Sequence, residues 1–252
     1  MKNKKLKIKT QEINKTFQKL PSFSHEKLTA DIFGIKNLKK NTASSFCIVG
    51  TGSPLHEDLA VQSYETFYES SNKKEGHIDR HGCSTQIAGL LSLNAHNMKG
   101  LCPKSQVYFA KAFNQKGEGL YSSLASSILW GIIKDVNCII LPCEIDSNFE
   151  ALHSILEQAT KANISVVAPI SKNSKLKYDG VLYVAKDTDH VKGAVNIPRR
   201  NKIYTTNIND TYVKAHGIYY KLSVAAGLLE NIKSDGIKSN KNAYDTMLSY
   251  FQ

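Results

Sequence analysis

The chain has 252 residues, 41% of them hydrophobic and 22% charged, a balance that supports a buried core and excludes wholesale disorder. Lysine and arginine outnumber the acidic residues 33 to 22, for a formal net charge of +11. The lysines alternate with asparagines, as in "KNKK" and "SNKNA", without aromatic–basic interleaving or a finger motif, so nucleic acid is not the expected partner.

In chain order, the N-terminus "MKNKKLKIKT" is basic and leads into no apolar h-region or small-residue cleavage site, so no secretory signal and a cytoplasmic location are expected. Residues 1–24 are expected to form a basic segment without fixed structure. Residues 25–252 are expected to form one domain, because no Pro/Gly/Ser-rich linker divides them. "LTADIFGI" carries a short helix pattern. From Ser44 onward strands and helices alternate: "SFCIVG" predicts a strand, "HGCSTQIAGLLSL" a helix, "QVYFAKAF" a strand and "LYSSLASSILWGIIK" a helix. Then "CIILP" predicts a strand, "FEALHSILEQATK" a helix, and "ISVVAPI" and "GVLYVAK" two more strands. After a polar stretch, "YYKLSVAAGLLENIK" and "NAYDTMLSYF" predict two closing helices. The longest apolar runs fall well short of the about 20 residues needed to cross a bilayer, so no transmembrane segment is expected. Alternating strands and helices imply an α/β fold with a mostly parallel sheet, helices on both faces, and ligands at the carboxyl ends of strands.

The five cysteines, at 47, 83, 102, 138 and 143, are odd in number and form no CxxC pair. They are expected to be reduced, and those inside strand- or helix-like segments to act as small hydrophobes. His77 and His81 form an H-x₃-H pair around Asp79, a spacing seen in zinc sites. The helix after it begins only near His81 and leaves His77 in the loop, so neither a metal nor another cofactor is expected.

The order of these words resembles the subtilisin-like serine peptidases of family S8. "FCIVGTGSPLHEDL" is similar to the segment around the catalytic aspartate, and "HGCSTQIAGLL" to the histidine motif. "GLCPKSQVYFAKAFNQKGEGLYSSLASSILWGI" resembles the run that follows it. "ISVVAPIS" and "GVLYVAKDTD" resemble the strands around the oxyanion asparagine, and "HGIYYKLSVAAG" the serine motif. Six words in one order, over about residues 25–252, imply a three-layer subtilisin-like fold.

Carried over residue by residue, the resemblance implies an inactive member. His81 keeps the histidine position, but Gly50 stands at the aspartate position and Tyr219 at the serine position, with Lys172 near the oxyanion asparagine. The aspartate fixes the imidazole tautomer and is worth roughly 10⁴ in rate, and losing the serine costs roughly 10⁶. Cys83, two positions beyond His81, is placed on nearly the opposite helix face. Ser223 lies a turn inside its helix, and Asp58 and Asp79 reach His81 only if loops rearrange. The alternative is a hydrolase rebuilt around His81 or completed by a partner subunit.

The resemblance also implies a peptide groove, in which an extended chain adds as a strand. One wall would be Lys116, Gly117, Glu118, Gly119, Leu120 and Tyr121, and the other Leu141, Pro142 and Cys143. Pro142 has no N–H to offer a bound strand. The expected role is binding of a peptide, a precursor protein or an active subtilase, and an acidic partner would suit the surface charge.

Overall fold

The computed structural model describes residues 5–8, 16–17, 43–68, 76–95, 98–174, 177–186, 191–198 and 203–251. The helix pattern "LTADIFGI" lies outside the described residues.

The basic N-terminal segment supplies two strands, β1 (Lys5–Lys7) and β2 (Thr16–Phe17). The domain proper begins with β3 (Ser45–Gly50), β4 (Ser63–Thr66) and α1 (Cys83–Ser92). A short antiparallel pair, β5 (Asn94–Ala95) and β6 (Met98–Lys99), precedes β7 (Gln106–Lys111). There follow β8 (Glu118–Leu120), α2 (Tyr121–Ile133), β9 (Cys138–Ile140), α3 (Glu150–Lys161), β10 (Ser165–Ile170) and β11 (Val181–Ala185). A hairpin of β12 (Tyr204–Asn207) and β13 (Thr211–Lys214) leads to α4 (Gly217–Ser234) and α5 (Asn240–Tyr250).

The central sheet is six-stranded and parallel, in the order β11-β10-β9-β3-β7-β4. Its inner strands are near-continuous apolar runs because helices cover both faces: β9, β10 and β11 are buried at every position. Helices α1 and α4 pack together on one side, with α5 against α4, and α2 packs with α3 on the other. The architecture is thus a three-layer α/β fold of the subtilisin-like kind. Five helices occupy the described residues, each at a segment with helical spacing in the sequence.

Edge strand β4 is polar and mostly exposed, so it carries no hydrophobic alternation. The β12–β13 hairpin lies within and just after the stretch read as polar. Its turn holds Asn209 and Asp210 at φ 59° and 49°, a left-handed pair that Asn and Asp tolerate best.

Candidate active site

The site is organised by the start of α1. Asp79 is buried and accepts five hydrogen bonds: from the Thr51 hydroxyl, from the N–H groups of His81, Gly82 and Thr85, and from the Thr85 hydroxyl, at 2.8–3.0 Å. Its carboxylate satisfies donors that a helix start leaves without intrahelical partners and holds the loop on which His81 sits. Gly82, just before the helix, has φ 92°. A side chain there would be strained and would crowd Asn207 Oδ1, 3.0 Å from the Cβ position.

His81 is half-buried, and desolvation lowers its pKa; the Asp79 charge opposes this and Lys111 adds to it. The imidazole is therefore neutral at pH 7. Lys111, buried at the end of β7, donates to the Thr51 carbonyl. Asp58 hydrogen-bonds the Tyr212 hydroxyl, and Asp79 is engaged with the helix start.

Gly50 ends β3 directly against α1. A Cβ on Gly50 would lie 2.3 Å from Ser84 Oγ, and that hydroxyl accepts from Thr51 N at 3.0 Å. A side chain at residue 50 would thus require the Ser84 hydroxyl, in the first turn of α1, to move.

Tyr219 lies in the first turn of α4, is 2% exposed, and meets α1 at Cys83, the two side chains being hydrogen-bond partners. Burial pushes the phenol far above its usual range, and the neighbouring Cys83 adds to the shift. Burial likewise raises the Cys83 thiol, reinforced by the Asp79 charge. Both groups are neutral, and a neutral buried thiol is a poor nucleophile. Ser223 donates to the Tyr219 carbonyl at 2.8 Å, a bond back along its own helix. Gly50, His81 and Tyr219 therefore meet around the N-terminus of α1.

The candidate groove is less open. Strand β8, in its first wall, pairs antiparallel with β1: Lys5 faces Leu120, Leu6 faces Gly119 and Lys7 faces Glu118. Ile8 N donates to Gly117 O at 2.7 Å. Leu6 and Ile8 are 5% and 1% exposed, whereas Lys5 and Lys7 point to solvent. Gly117 also abuts His81: a Cβ there would lie 3.1 Å from His81 Nε2 and 2.7 Å from the Ile8 carbonyl oxygen. In the second wall Leu141, Pro142 and Cys143 are buried, and Leu141 N is committed to Val167 O at 2.9 Å. Lys172 is exposed in the turn after β10. The preceding Ser171 donates its N–H and hydroxyl to Glu144 Oε1 at 3.0 and 2.7 Å, and Glu144 pairs with Lys186.

His77 stacks on Tyr64, with ring centroids 4.0 Å apart and planes at 8°. Among the described residues no group of three or more His, Cys, Asp or Glu side chains could hold a metal ion. Sequence reasoning missed Ser84, Lys111, Leu6 and Ile8 at this site. The alternation "KLKI" is the only sequence signal that pointed to the last two.

No family model matches the chain. It is 25% identical over 135 residues to the minor extracellular protease Epr of Bacillus subtilis, a match covering 53% of this chain and 20% of that protein. It is 25% identical over 176 residues to a subtilisin of Bacillus pumilus, covering 68% of this chain and 63% of the relative. Subtilisin DY of Bacillus licheniformis is 24% identical over 192 residues, covering 68% and 69%. The chain thus spans less than two thirds of the length of the first two relatives. This weak similarity supports kinship with the subtilisin-like peptidases of family S8.

Proposed function

We propose that this subtilisin-like chain is catalytically inactive and acts by binding an extended peptide, a precursor protein or a partner protease, as a regulator or scaffold. The observation that carries the reading is Tyr219, whose neutral, buried phenol occupies the first turn of α4 where the family's motif has serine. Gly50 adds to it, since it offers no carboxylate to orient His81 and its flank is closed by Ser84. With glycine at residue 50 and a buried phenol at residue 219, the family's route from a serine hydroxyl to a covalent intermediate is closed. Family-like groove geometry would let binding outlast chemistry.

The test is incubation of the full chain with a broad fluorogenic peptide library and with serine- and cysteine-directed covalent probes. The expected outcome is neither turnover nor labelling. Labelling that disappears in His81→Ala would favour a rebuilt hydrolase instead.

A further inference from the structure

We infer that Cys83, not His81, stands where a peptidase of this kind carries its general base, so that none of the three triad positions holds its catalytic group and His81 is a side chain of the groove wall. This rests on the inactive reading and deepens it.

A triad is a contiguous row of side chains, in which the base hydrogen-bonds the nucleophile on one side and the acid on the other. The base position therefore lies between residues 50 and 219. Helix α1 presents its first turn there. Its first residue, Cys83, is the hydrogen-bond partner of the Tyr219 side chain, and its second, Ser84, meets residue 50, with Oγ 2.3 Å from the Gly50 Cβ position. Two adjacent residues of one turn thus join both positions. His81 precedes the helix. Its N–H and that of Gly82 are tied to Asp79 Oδ1 at 3.0 and 2.8 Å, and Gly82, at φ 92°, turns the chain between His81 and Cys83. The His81 ring lies along the β8 wall, with Nε2 3.1 Å from the Gly117 Cβ position. Matching the words of the sequence puts the base at His81, whereas the contacts put it two residues later.

A general base must take a proton from its neighbour near neutral pH. Cys83 is fully buried, and its thiol is held neutral by desolvation first and by the Asp79 charge second, so it takes no proton from residue 219. Ser84 couples the change at residue 50 to this one, because its hydroxyl accepts from Thr51 N at 3.0 Å beside Gly50. A smaller residue at 84 would make room for an acid at 50.

The test uses the full chain in two forms. One carries Gly50→Asp, Ser84→Gly and Tyr219→Ser and keeps His81 as its only imidazole near the site; the other adds Cys83→His. A serine-directed fluorophosphonate is expected to label the second form about tenfold or more faster than the first. Its labelling rate should climb with pH as an imidazole of pKa about 6.5 loses its proton. Equal labelling of the two forms overturns the assignment. Since so many core substitutions can unfold a chain, the position is read a second way. The single variant Tyr219→Cys, equilibrated in a glutathione redox buffer, is expected to form a disulfide between residues 83 and 219, identified by peptide mass. In Tyr219→Cys with His81→Cys and Cys83→Ser, no disulfide between residues 81 and 219 is expected. A bridge at 81 overturns the assignment; a bridge at 83 upholds it even where neither substituted form is labelled. Turnover by the unsubstituted chain would overturn the inactive reading instead, and the bridge would still decide the place of Cys83.

Discussion

At the scale of single residues, the chemistry turns on what surrounds three positions. Introducing an acid and a hydroxyl by Gly50→Asp with Tyr219→Ser is expected to leave hydrolysis of a fluorogenic peptide within about tenfold of background. The new carboxylate would meet Ser84 Oγ, 2.3 Å from its Cβ, and an exposed Lys172 stands near the oxyanion position. Fast cleavage by that variant would contradict the inactive reading. His81 makes a separate prediction through pH. Its folded pKa is lowered by burial, so the unfolded chain binds the proton first as pH falls below about 6.5. Wild-type stability should therefore decline from pH 6.5 towards the folded value, and His81→Gln should show a shallower decline. Urea midpoints at several pH values would show the difference.

At the scale of elements, the seam between α1 and β12 is unusually tight. A Cβ on Gly89 would lie 2.2 Å from Thr206 Oγ1, 2.5 Å from Thr205 Oγ1 and 2.8 Å from Thr206 N. Those hydroxyls donate to the carbonyls of Thr85 and Gln86 at 2.7 Å. Gly89→Ala is expected to cost about 1–3 kcal/mol, because the backbone must part to admit a methyl group, and a lowered urea midpoint would register it. The sequence made the inner strands and all five described helices legible, because burial on both faces or on one stripe writes itself as apolar runs or helical spacing. It did not announce β4, whose residues face water. Nor did it announce β12 and β13, whose threonines and asparagine pack through hydroxyl and amide bonds rather than apolar area. The candidate positions Gly50, His81 and Tyr219 were readable from motif order. The packing of Ser84 against Gly50 was not, since a one-atom contact across two elements leaves no periodic trace.

At the scale of the whole molecule, the core encloses every cysteine. Cys47, Cys83, Cys102, Cys138 and Cys143 are all free and buried, and burial pushes Cys102 and Cys143 up to about 12. A disulfide-exchange reagent at pH 8 should titrate essentially no thiol in the native protein and all five after denaturation; rapid native reaction at any one would expose a local opening. Beyond stability, the Ser84 hydroxyl bears on the direction in which such a protein can change. Any codon that gives residue 50 a side chain first meets the Ser84 hydroxyl, so an acid there requires that hydroxyl to turn aside and release the Thr51 N–H it accepts from.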